Sequence, residues 1–97
     1  MLIGKVVGSV VATRKDEKLE SQKLLLVQVH DHNNKAKDQY VVAADSVGAG
    51  PEDMVLYATG SSARQTRITE GKPVDAVIMA VVDSWDLGGA DVYEKWS

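Results

Sequence analysis

His30 and His32 are the only two histidines of the chain and stand two positions apart, with Asp38 six residues further on. In an extended strand residues two apart share a face, so two imidazoles could meet a metal ion with a carboxylate as a hard third ligand. The pair lies where an apolar stretch runs into a polar turn, which predicts two exposed side chains and no metal. Ser61 and Ser62 follow Gly60, but the surrounding residues are not a Gly-x-Ser-x-Gly elbow, and no histidine and acid stand out to activate a hydroxyl. Asp45, Asp75, Asp83 and Asp86 sit beside apolar strands without a visible division into acid and base. Asp45 and Asp75 are expected to hold loop backbone N–H groups instead. Gly48-Ala49-Gly50-Pro51 lacks the later glycine and the following helix of a phosphate or dinucleotide loop. No enzyme machinery is visible, and no cofactor is implied.

The totals narrow the class. At 97 residues the chain is expected to form one domain, residues 1–97, burying roughly 60 to 68% of its unfolded surface. It has no cysteine, so neither disulfides nor thiolate metal sites contribute. No segment approaches the roughly 20 apolar residues of a membrane-spanning helix, and residues 1–5 lack a signal-peptide h-region, so a cytoplasmic protein without a membrane partner is expected. Net charge is −3, and no cluster of lysine or arginine is dense enough to track phosphates. Nucleic acid is therefore not an expected partner.

Around these residues the chain reads as a small all-β domain, with apolar runs separated by polar or glycine-containing connections. Strands are predicted over 2–13, 23–31, 40–47, 54–59 and 74–83. Gly4 and Gly8 in the first mark a bend, a bulge or a close backbone approach, as suits a long strand bending round a barrel. Residues 32–38 form a hairpin loop in which Asn33 and Asn34 tolerate the left-handed region. Ser61 or Ser62 could cap a single helical turn within 61–69. Beyond Asp83 the tail, with Gly88-Gly89, Trp85, Tyr93 and Trp96, is either a short helix or an extended arm. Its aromatics could dock on their own barrel or on a neighbour.

Strand alternation carries the inference furthest. In 74–83, Ala76, Ile78, Ala80 and Val82 point one way and Val77, Met79 and Val81 the other, so both faces are apolar. Strands 23–31 and 54–59 behave alike. A barrel this small can enclose one face per strand, so the second faces must be covered by another subunit or by the tail folding back. Another subunit is the more economical cover.

Two blocks have a more specific character: Ser46-Val47-Gly48-Ala49-Gly50 and Gly60-Ser61-Ser62-Ala63-Arg64, on either side of one apolar strand. With Gly4-Lys5-Val6-Val7-Gly8, the Lys23 to Gln28 run, Val74-Asp75-Ala76 and Val81-Val82-Asp83, the chain resembles the pentameric vertex proteins of bacterial microcompartment shells. The resemblance implies a five-stranded barrel of oligonucleotide-binding-like topology, assembled head to tail as a homopentamer. It implies a structural role at the corners of a polyhedral shell whose facets are hexameric proteins, the shell enclosing metabolic enzymes. Gly48, Ala49, Gly50, Gly60, Ser61, Ser62, Ala63 and Arg64 would then lie near subunit contacts or the ring axis. Arg64 would bind a carboxylate or backbone carbonyls across the contact, or remain a surface arginine. Members of the family commonly carry Gly-Glu where this chain has Glu52-Asp53, and glycine where it has Ser21. A changed turn after Pro51 is expected, because non-glycine residues resist positive φ. A nucleic-acid-binding module of the same topology is the alternative, but it calls for a basic groove with stacking aromatics, and the chain has five aromatics in all.

Overall fold

The computed structural model describes residues 1–13, 17, 22–60 and 75–96. Its elements are β1 (Leu2–Val10), β2 (Leu24–His30), β3 (Ala36–Asp45), β4 (Met54–Thr59), β5 (Ala76–Val81), β6 (Ser84–Leu87) and β7 (Ala90–Glu94). The first five close into a barrel in the order β1-β2-β3-β5-β4, and β6 pairs with β7 alone. Every barrel pairing is antiparallel except β3 with β5. This is the five-stranded barrel that the resemblance implies, and it agrees with the small all-β domain read from the apolar runs. The short helical turn expected within 61–69 lies outside the described residues.

The interior is built from one face of each strand. Val6 of β1, Leu25 and Val27 of β2, Ala43 of β3, Val55 and Tyr57 of β4, and Ala76 and Ile78 of β5 form a single buried cluster, joined by Ala49 from the following loop. Each large aliphatic or aromatic side chain hidden here contributes on the order of 1.5–3 kcal/mol. Burial also pushes the Tyr57 hydroxyl above its ordinary pKa. β1 passes close to both β2 and the Tyr57 ring at Gly4. A Cβ placed on Gly4 would overlap Val27 Cγ1 and lie 2.8 Å from Gln28 O and 3.1 Å from Tyr57 Cε1. A Cβ on Gly8 would meet only ordinary contacts, the nearest being Leu26 Cβ at 3.8 Å. The two glycines of β1 thus have different reasons: Gly4 admits the ring, while Gly8 directly follows a register shift after Val6.

The outer faces divide. Ala44, Ala58 and Val77 form a second buried cluster with Leu24 and Met79 packed on it, so much of the outward side of β5 is already hidden within the subunit. This amends the expectation that the second apolar face of that strand needs a neighbour. On the other side of the barrel, Val7, Tyr40 and Val42 remain 40%, 55% and 46% exposed. Among the described barrel strands, the exposed large apolar side chains therefore belong to β1 and β3.

Several boundaries differ from expectation: β1 ends at Val10 rather than near residue 13, β3 at Asp45 rather than Val47, and β5 at Val81 rather than Asp83. β3 begins at Ala36 rather than Tyr40, because its polar first half continues the ladder with β2 through Gln28↔Tyr40 and His30↔Ala36 around an irregularity. Gln28 Nε2 donates to Lys37 O at 3.0 Å across that step. The tail is neither helix nor single arm but a hairpin, turned by Gly88 and Gly89 at φ 59° and 90° between the paired Leu87 and Ala90. Positive φ at both central residues is what a two-residue type I′ loop demands.

The close approach at Gly4 sets an expected contrast. Gly4→Ala should lower unfolding stability by about 1–3 kcal/mol, since paired backbone as well as side chains must move, whereas Gly8→Ala should stay within about 0.5 kcal/mol. Urea midpoints of the two variants, at unchanged slope, check this.

Candidate functional site

The Ser46 to Gly50 block forms the turn that leaves β3, and a buried carboxylate shapes it. Asp45, 8% exposed, accepts hydrogen bonds from the Val47 and Ala49 amides at 3.1 and 3.2 Å, and its other oxygen lies 3.8 Å from Lys23 Nζ. Lys23 Nζ in turn donates to Ala49 O at 3.1 Å. These bonds turn the Ala49 methyl inward, where it is fully buried in its own subunit's core. Of the expected contact residues in this block, Gly48 is presented to solvent with φ 77°, Gly50 is half-buried and Ala49 is spoken for. Val47, 44% exposed, is the apolar side chain that the loop offers outward, and the sequence pattern passed over it. Asp45 does hold loop amides, as expected. For Asp75 the described loop bond is main-chain, Gly60 N donating to Asp75 O at 2.9 Å.

The turn then folds onto β1. Glu52 N donates to Val6 O and Val6 N to Asp53 O, both at 2.9 Å, while the Asp53 carboxylate accepts Gly50 N at 2.8 Å. Glu52 sits at φ 70°, with its carboxylate 3.2 Å from Lys5 Nζ. Glu52 thus takes the left-handed region that a non-glycine residue was expected to resist, held there by its amide on Val6 O and the Asp53 amide on Gly50 O. Between this turn, the β1 irregularity and the start of β2 lies a half-open cleft of about 450 Å³, walled by Val6, Val7, Leu25, Ala49 and Pro51, with Lys23 beside them.

The second block is described only at Gly60, which is exposed at φ 66°. Ser61, Ser62, Ala63 and Arg64 lie outside the described residues, as does Ser21.

The histidines do not come together. β2 ends at His30, whose Nδ1 lies 2.9 Å from Asn34 Oδ1, and His32 is out in the turn beside Asn33. Asp31 Oδ1 accepts the Asn33 and Lys35 amides at 2.9 Å each, and these bonds, Lys35 first, hold its carboxyl below the ordinary aspartate pKa. Among the described residues no group of three or more His, Asp or Glu is placed to hold a metal ion. The arrangement is one of rigid turns and apolar surface, suited to contact between proteins.

Comparison with known proteins agrees in kind. The sequence model of the family described as "Ethanolamine utilisation protein EutN/carboxysome" matches residues 1–83. The chain belongs to this family. It is 43% identical over 95 residues to the carboxysome shell vertex protein CcmL of Synechococcus elongatus, covering 98% of this chain and 96% of that protein. The structure of Gloeobacter violaceus CcmL superposes with a TM-score of 0.96 at 40% identity over the whole of both chains. The GrpN pentameric microcompartment shell protein of Rhodospirillum rubrum superposes at 0.82 with 37% identity, over 90% of this chain and 99% of that one. None of these relatives supports the nucleic-acid alternative. The β6–β7 hairpin begins at Ser84, just beyond the matched family segment.

Two substitutions in the turn have opposite expected signs. Asp45→Ala leaves the Val47 and Ala49 amides without their acceptor and should destabilise by about 2–4 kcal/mol. Glu52→Gly removes a positive-φ penalty and should stabilise by about 1 kcal/mol. Thermal or urea unfolding measured side by side with the parent chain checks both.

Proposed function

We propose that this chain is a non-catalytic shell subunit that assembles as a homopentamer and caps the vertices of a bacterial microcompartment. The observation that carries this is similarity to shell vertex proteins over nearly the whole chain, with a pentameric shell protein among the superposing barrels. A sheet of hexagons cannot close without pentagons, so the partners in the shell are hexameric facet proteins and the location is a shell in the bacterial cytoplasm, around encapsulated enzymes. A closed head-to-tail ring requires one patch of each subunit to match a different patch on the next. The exposed Val7, Tyr40 and Val42 of the barrel supply apolar surface for such a contact. Gly48, Gly50 and Gly60, with Ser61, Ser62, Ala63 and Arg64, are proposed to line subunit contacts or the axis, small side chains letting five copies converge. Ala49 serves the same loop from inside the barrel.

Light scattering on the purified 10.5 kDa chain should give a closed ring of roughly 52 kDa. Co-expressed with facet hexamers, it should yield shells with sealed corners, and omitting it should leave shells open or elongated. A strict monomer at high concentration, or equally sealed shells without the chain, would sink the proposal.

A further inference from the structure

The β6–β7 hairpin is an appendage in search of a surface. Its strands bond only to each other within the described sheets, and its described ties to the barrel are Trp85 Nε1 donating to His32 O at 3.0 Å and Lys95 Nζ at 3.8 Å from Asp53. An isolated two-stranded hairpin is marginal in water. The register makes it two-faced: Trp85 stacks on Tyr93 and shares a side with Leu87 and Ala90, while Asp86 opposes Asp91 on the other side with Glu94 beyond. Directly opposed like charges destabilise a ladder, and hydrogen bonding to Asp91 lifts the Glu94 carboxyl above its ordinary pKa. The tip therefore offers an apolar pair, with Leu87 43% exposed, backed by two carboxylates.

The cleft beside β1 has the complementary character. Its walls are apolar, and Lys23 stands beside it with a side chain 60% exposed and one ammonium proton engaged by Ala49 O. A subunit cannot fill its own cleft with its own tip. Asp53, which ties the base of the hairpin through Lys95, also bonds Gly50 at the cleft, so the base lies near that cleft while strands of four and five residues carry the tip about 15 Å onward.

We propose that the hairpin tip of one copy, Leu87 with Ala90, seats in the β1–β2 cleft of the next, with Asp86 or Asp91 facing Lys23. This rests on the ring assembly proposed above and names one of its contacts, the two different surfaces that a heterologous ring needs. Leu87 removes its side chain from water, and Lys23, already 3.8 Å from Asp45, gains a second carboxylate from an acidic face on which Asp86 accepts Gly89 N and Asp91 bonds Glu94.

Because the chain has no cysteine, the contact is testable by cross-linking. Leu87→Cys combined with Val7→Cys, and separately with Pro51→Cys, should under mild oxidation give a non-reducing ladder rising to five subunits. Leu87→Cys with Tyr40→Cys, on the outside of β3, should not. Leu87→Asp should raise the concentration at which rings dissociate about tenfold or more, with the unfolding midpoint of the barrel unchanged. A fast-migrating monomer, or no ladder from either cleft pair while light scattering still reports five subunits, overturns this contact and leaves the ring standing. A monomeric mass for the parent chain overturns the ring itself and the contact with it.

Discussion

Five short strands close into a barrel only if one of them leaves its first neighbour and pairs with another, and Asp45 is where β3 does so. Its amide still bonds to Lys23 O beside β2, at 2.9 Å, while the residue is already in register with Ile78 of β5. One residue later Ser46 Oγ donates to Ile78 O at 2.5 Å. The Asp45 carboxylate holds the departing turn and points Ala49 into the core. A charge this deep is tolerable because its oxygens meet two amides and have an ammonium nearby. The backbone of Asp45 thus takes part in closing the barrel, while its side chain shapes the 46–49 turn and, through Ala49, one wall of the adjacent cleft.

Closure also decides how the described interior is used. The interior is filled by valine, leucine, alanine, isoleucine and one tyrosine ring, packed closely enough that a side chain at Gly4 of β1 would run into Val27, the Gln28 carbonyl and that ring. Among the described residues Asp45 is the one buried carboxylate, and Asp31, Asp45, Asp53 and Asp86 each accept backbone amides of their turns. What remains for function is the outside: rigid turns whose positive-φ residues are held by hydrogen bonds, apolar side chains on β1 and β3, and a hairpin held mainly at its base. Rigid turns suit assembly because a preordered contact loses little conformational freedom on binding.

The legible parts of this chain were those governed by local rules. Strand β4 lies where its apolar run lies, and Asp45 as a binder of loop amides followed from an acid placed beside a glycine-rich turn. The start of β3 was illegible because Lys37, Asp38 and Gln39 carry no apolar alternation, their place being set by the ladder with β2. The terminal hairpin carried a signal that was undervalued: Gly88-Gly89 between short runs containing tryptophan, valine and tyrosine is a two-residue loop signature. The histidine spacing was discounted for a local reason, the polar turn that follows, and β2 does stop at His30 before the two-residue interval could share a face.

Composition and alternation by themselves settled that this is a small all-β domain without disulfides whose strands are apolar on both faces, and two glycine-bearing blocks marked its kinship with shell vertex proteins. Local sequence can do that because side-chain period and glycine tolerance are properties of a few consecutive residues. Only the tertiary structure decided that Ala49 faces inward while Val47 faces out, that the outer side of β5 is already covered while Val7 and Val42 are not, and that Glu52 takes a glycine's conformation. Those outcomes depend on which distant strands become neighbours when the barrel closes, and sequence distance carries no record of that pairing.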